Sequence, residues 1–159
     1  MKSSFNSIDI INIYRSAEGS KTTLIESMRQ LIDERRTTVI AGDFNICGQT
    51  EKQDIVLKFI AQSGFTKLND EPTQIQGRQI DHMYINQPTL VRGIERYSPY
   101  YSDHDALLLT LKIQVCFLVI NMNIYVSLYI FRSGQLIHQM MNSNRTFWLP
   151  IERQIGVPS

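Results

Sequence analysis

A mixed α/β sandwich is the fold class predicted for this chain, and three observations carry the prediction. Apolar runs of strand length alternate with segments of helical spacing, in the order strand, helix, strand, helix, strand. The strand-type runs are nearly continuous rather than alternating, as befits strands covered on both faces. The 159 residues are enough for one domain with its own core.

The first strand runs from Ile8 to Tyr14, and Ser16 to Ser20 is a polar turn. From Lys21 to Arg35 the apolar residues Leu24, Ile25, Met28, Leu31 and Ile32 recur at helical spacing, with Glu26, Arg29, Gln30, Asp33 and Glu34 opposite. Such a stripe predicts a helix laid on a sheet face. Thr37 to Ala41 is the next strand. Asp54 to Gln62 predicts a second amphipathic helix, with Ile55, Phe59 and Ile60 inward and Ser63-Gly64 ending it. Phe65 to Leu68 is short and extended. Asn69 to Arg78, with Pro72 and Gly77, is a polar loop of the kind that lies beside a site. Gln79 to Ile85 is a strand ended by Asn86-Gln87-Pro88, and Leu90 to Tyr97 is extended. Tyr100 to Asp105 is a loop, and Ala106 to Lys112 is a closing strand with too little alternation for a wet face.

Three stretches carry chemistry. Thr37-Thr38-Val39-Ile40-Ala41-Gly42-Asp43-Phe44-Asn45 delivers a carboxylate and a carboxamide from the end of a buried strand, with Gly42 expected to let the backbone turn. Asp and Asn are poor strand residues and costly to bury unpaired. Gln79-Ile80-Asp81-His82-Met83-Tyr84-Ile85 sets an Asp in an apolar run, where turn chemistry explains it poorly. Tyr101-Ser102-Asp103-His104-Asp105 leads into the leucine-rich strand. Singly, Asp43 reads equally well as a cap, His104 as a surface residue and Tyr14 as core packing with its hydroxyl at the rim.

Together and in this order, GDFN, IDHMYI and SDHDALLLTL resemble the endonuclease/exonuclease/phosphatase superfamily, from about Ile8 to about Lys112. The resemblance implies a four-layer α/β sandwich and metal-dependent phosphodiester hydrolysis with Mg²⁺ or Mn²⁺. Residue by residue it implies that Asp43 orients or deprotonates the attacking water, and that Asn45 holds that water and a phosphate oxygen. Tyr14, at the end of an earlier strand, contacts the phosphate, and Ser102 joins the substrate contacts. Asp103 contributes to the metal site. His104 hydrogen-bonds a phosphate oxygen and is oriented by Asp81. His82 and Asp105 match variable positions and receive no role. The plain loops look most like endonuclease domains of mobile elements, which implies a nucleic-acid substrate, DNA rather than RNA.

One departure from the family matters. Its members carry an Asn and a metal-ligating Glu on strands upstream of the Tyr strand, and only thirteen residues precede Tyr14. Residues 1–113 are therefore expected to be an N-terminally truncated domain. The alternatives are a catalytically inactive remnant of such a domain and a small membrane-anchored protein.

The remaining features bound the class. Sixteen Lys and Arg against fifteen Asp and Glu give no broad basic field, leaving Arg15, Arg78, Arg92 and Arg96 as candidates for a local positive groove. Cys47 and Cys116 have no metal-ligand spacing and suit a reducing compartment. No apolar run of signal-peptide length opens the chain, so an intracellular location, nuclear or cytoplasmic, is expected. Residues 114–159 do not resemble the family. Val115 to Phe131 is charge-free and about the minimum length of a membrane helix, but Asn121 and Asn123 and the Ile, Val and Tyr content suit a strand pair equally. Arg132 to Ser159 is expected to be a poorly ordered tail. The oligomeric state is left open.

Overall fold

The computed structural model describes residues 8–100, 102–117, 120–130, 136–142, 145–148 and 154–156. β1 (Ile8–Tyr14) leads through a turn to α1 (Lys21–Leu31), whose N-cap Ser20 accepts a hydrogen bond from the Thr23 N–H. β2 (Thr37–Asp43) is buried at all seven positions. α2 (Ile55–Gln62) is capped by Asp54, which accepts from the Val56 N–H at 2.8 Å. β3 (Thr66–Lys67), β4 (Asp81–Ile85), β5 (Val91–Tyr97), β6 (Ala106–Phe117), β7 (Ile120–Ile130), β8 (Leu136–Asn142), β9 (Arg145–Trp148) and β10 (Gln154–Gly156) follow.

The strands form two five-stranded sheets, ordered β10-β1-β2-β4-β3 and β5-β6-β7-β8-β9. In the first sheet β1 and β2 are parallel, as a crossover helix requires, and β4 returns antiparallel to β2. The second sheet is antiparallel throughout its described pairings.

Alternation along β2 builds two cores. Ile40 faces one side with Ile11 and Ile13, where Leu24 and Met28 of α1 and Val56 and Ile60 of α2 cover them. Val39 and Ala41 face the other side, with Met83 and Ile85, against Leu107, Leu109 and Leu111 of β6. Helices, sheet and sheet thus stack as an α/β sandwich, three layers of which lie among the described residues.

Three details differ from the sequence expectations. α1 stops at Leu31, because Ile32 turns extended and its N–H caps the Met28 carbonyl. In α2 the fully buried residues are Val56 and Ile60, whereas Ile55, the first residue of the helix, is half exposed. The segment expected as a poorly ordered tail contributes β8, β9 and β10, whereas the apolar run takes the strand-pair form that was one of its two readings, at the end of β6 and in β7. The open edges of β6 and β1 explain this, since unpaired strand edges recruit partners. No helix among the described residues is long and apolar enough to cross a membrane.

Candidate active site

Register brings the motif residues to one end of the first sheet. Tyr14 is the Cα partner of Asp43 across β1 and β2, and Asp43 is the partner of Asp81 across β2 and β4. A parallel strand ends where its neighbour ends and an antiparallel one begins there, so three sequence-distant side chains share one rim. The loop before β6 brings His104 to the same place. One ligand atom each from Asp43, Asp81 and His104 lies within 4.8 Å of the other two, and all three residues are buried.

Gly42 has a different task from the turn expected of it. It lies inside β2 with φ of 137°, and a Cβ there would sit 1.9 Å from the Ile13 carbonyl oxygen of β1. Only glycine permits that approach. The turn comes three residues later in the motif, where Asn45 adopts φ of 50°. Asn tolerates this left-handed conformation better than other non-glycine residues. Phe44 between them is fully buried, with edge contacts to the rings of His82 and Tyr84 at 5.2 and 6.1 Å. The motif therefore anchors its Phe in the helical core and presents Asp43 and Asn45 to the rim. The Asn45 N–H donates to Asp43 Oδ1 at 2.9 Å, and Asn45 Nδ2 donates to the Arg15 carbonyl at 3.2 Å.

Asp81 and His104 are paired, with Nδ1 of the imidazole 2.9 Å from Asp81 Oδ2. The same oxygen accepts from the Thr73 hydroxyl at 2.7 Å, and the Asp81 N–H donates back to Thr73 Oγ1 at 3.1 Å. Burial pushes the Asp81 carboxyl up to about 6 and the Asp43 charge adds to the rise, against the lowering effect of Thr73 and His104. At neutral pH the group is still ionised and holds Nδ1 as the donor, leaving Nε2 as the imidazole nitrogen free to face a ligand.

Ser102 Oγ accepts from the His104 N–H at 3.0 Å, so it shapes the loop that carries the imidazole. Asp103 is half-buried; its carbonyl accepts from the Ile75 N–H at 2.9 Å, and it stands outside the three-residue cluster, although it was expected as the metal ligand. Tyr14 is 48% exposed at the rim.

Thr73 and Asn69 escaped the sequence reading. Asn69 donates from Nδ2 to the Asp81 carbonyl at 2.9 Å and accepts the Met83 N–H at 2.8 Å, pinning the start of β4. Both sit in the polar loop 69–78, which has no period to single them out. His82, given no role, is a core residue: Nε2 lies 2.7 Å from the Ile46 carbonyl, and burial lowers its pKa to about 4. The groove arginines divide. Arg15 is 2% exposed and spent on backbone carbonyls, and Arg96 is engaged by Glu71, Asp105 and the Pro72 carbonyl. Arg78 and Arg92 are exposed.

The cluster fits a hard divalent cation. The Asp43 charge adds to the raised pKa of the buried Asp81, a repulsion that a cation between the two carboxylates would relieve, and hard carboxylate oxygens are the donors that suit Mg²⁺ or Mn²⁺.

A family profile described as endonuclease-reverse transcriptase matches residues 8–108. Among solved structures, that of an endonuclease/exonuclease/phosphatase from Beutenbergia cavernae DSM 12333 is similar at 16% identity and a TM-score of 0.47; the match covers 80% of this chain and 43% of that one. No curated protein matches.

Proposed function

Because the chain belongs to the endonuclease-reverse transcriptase family, we propose that it is a metal-dependent phosphodiester hydrolase domain acting on nucleic acid, DNA rather than RNA. The buried convergence of Asp43, Asp81 and His104 within 4.8 Å is the observation that carries this reading. A divalent cation bound there would be held by Asp43 and Asp81, with Asp103 on the adjacent loop, and would supply charge neutralisation at the phosphoryl group.

The chain's own residues do the rest. Asp43 accepts a proton from the attacking water, and Asn45 positions that water and a phosphate oxygen. Asp81 keeps the proton on His104 Nδ1, so that Nε2 faces a phosphate oxygen as a donor when the ring is protonated. Tyr14 and Ser102 line the path of the phosphate on the rim.

The test is nicking of supercoiled DNA, in parallel with cleavage of a single-stranded RNA, with Mg²⁺ or Mn²⁺ and with chelator. Asp43→Asn is expected to lower DNA cleavage at least about a hundredfold, the usual size of a general-base contribution. Equal cleavage by that variant removes Asp43 from the chemistry, and equal cleavage in chelator removes the metal.

A second reading, a domain that keeps the cluster but no longer turns over, draws on one observation. Thr73 and His104 already satisfy Asp81 Oδ2 without an ion. Absence of cleavage on either nucleic acid together with no Mn²⁺ binding would select it.

A further inference from the structure

Arg15 is buried to 2% exposure at the end of β1, and each of its four side-chain hydrogen bonds ends on a backbone carbonyl. Nη1 donates to the carbonyls of Ala17 at 3.1 Å and Gly19 at 2.7 Å, in the turn after β1. Nε donates to the Phe44 carbonyl at 2.7 Å and Nη2 to the Asn45 carbonyl at 3.0 Å. The backbone adds to this: the Arg15 N–H donates to the Asp43 carbonyl at 2.9 Å, and the Arg15 carbonyl accepts from Asn45 Nδ2 at 3.2 Å. One residue therefore touches Asp43, Phe44 and Asn45 in succession.

We infer that Arg15 is a positioning residue: its guanidinium clamps the Gly-Asp-Phe-Asn segment to the turn after β1 and holds Asn45 in its left-handed conformation. The physical need is plain. Past the end of β2 the ladder no longer satisfies the carbonyls of Phe44 and Asn45, and buried carbonyls must find donors. Asn45 at φ of 50° is a conformation that its surroundings must enforce. A planar fork with five N–H groups in fixed directions spans two segments at once, and four of those donors are used here. A lysine offers the same charge on one nitrogen and cannot reach both segments. Geometry, rather than the buried positive charge, is what the site draws from Arg15. Its effect on cleavage rests on the phosphodiesterase reading above, whereas its effect on Asn45 does not.

The experiment compares the full chain with Arg15→Lys and Arg15→Ala, ¹⁵N-labelled, by amide spectra, hydrogen exchange and DNA nicking with Mn²⁺. Arg15→Lys is expected to shift the backbone and side-chain amide signals of Asn45 and to speed exchange of the Asn45 N–H, which is bonded to Asp43 Oδ1. It is also expected to lower kcat by about tenfold to a hundredfold with little change in KM, as a small misplacement of reacting groups does. Added ethylguanidinium is expected to restore the Asn45 signals and part of the rate in Arg15→Ala. A lysine variant that keeps the parent's Asn45 signals and kcat overturns the inference in favour of charge. A lysine variant that only melts earlier, with Asn45 unmoved, overturns it in favour of packing. If the parent chain cleaves nothing, the phosphodiesterase reading fails while the Asn45 signals still decide the clamp. If Arg15→Ala does not fold, the lysine variant decides alone.

Discussion

Two buried titratable residues set opposite pH responses on neighbouring positions of β4. Asp81 has its pKa raised by burial from 3.8 to about 6, so the folded state holds its proton more tightly than the unfolded state does. Its destabilising contribution is complete above pH 6 and disappears as pH falls through 6 towards 3.8. His82 has its pKa lowered by burial from 6.5 to about 4, so stability from this group is present above 6.5 and is lost as pH falls towards 4. The two displacements therefore act in opposite senses on stability as pH falls below 6. Asp81→Asn removes one side of the balance. In chelator its stability is expected to fall more steeply between about pH 6 and pH 4 than the parent's does, as thermal melts at several pH values would show. A bound cation favours the ionised carboxylate, so Mn²⁺ is expected to stabilise the parent at pH 7 and not at pH 4. A parent that melts identically with and without Mn²⁺ at neutral pH would count against the cation site.

At the scale of elements, the pairing of β1 with β2 depends on the glycine between Ala41 and Asp43. A Cβ at Gly42 would lie 1.9 Å from the Ile13 carbonyl oxygen and 2.8 Å from its carbon, both of them backbone atoms. Neither can move aside as a flexible side chain would. Gly42→Ala is therefore expected to cost about 3 kcal/mol or more in denaturant unfolding, from enforced separation of the strands and an unsuitable φ. Alanine at Gly64 provides the control. That position also has positive φ, 81°, but no atom lies within 4 Å of a Cβ there, so only the conformational cost of about 1 kcal/mol applies. Equal losses at both positions would show that the close approach of the strands does not matter.

At the scale of the molecule, the two sheets meet through Val39, Ala41, Met83 and Ile85 on one side and Leu107, Leu109 and Leu111 on the other. β6 carries the second half of that core and is paired along its length with β7, from Leu107 with Ile130 to Phe117 with Ile120. β10 pairs with β1 on the other sheet, at Asn12 to Tyr14. A chain ending at residue 113 would leave both edges open. It is expected to melt without cooperativity or to elute as aggregates, where the full chain melts in one transition. Cooperative melting of the shortened chain as a monomer would show that the strands after β6 are dispensable to the core.

β1, read as buried on both faces, is buried only from Ile11 to Ile13, but pattern in the chain alone carried the strand–helix order, the full burial of β2 and the placing of polar residues at strand ends. These follow from local periodicity and from polar residues set where apolar runs end, and both are readable in a single chain. Asp43, Asp81 and His104 were legible as a set, through three motifs in one order that resemble a known family; singly, Asp43 and His104 have plain explanations. The tertiary structure alone decided what supports them. Thr73 and Asn69 lie in a loop with no period, and their partners on β4 are 8 to 14 residues further along the chain. Gly42 serves a neighbouring backbone rather than its own turn. Arg15 looked like a groove base and is instead buried against four carbonyls. The segment after residue 113 read as a tail because its own pattern is weak, yet strands there pair with edges that β1 and β6 present. In each case a deciding partner lies on another element, and contacts between separate elements leave no periodic trace in either one.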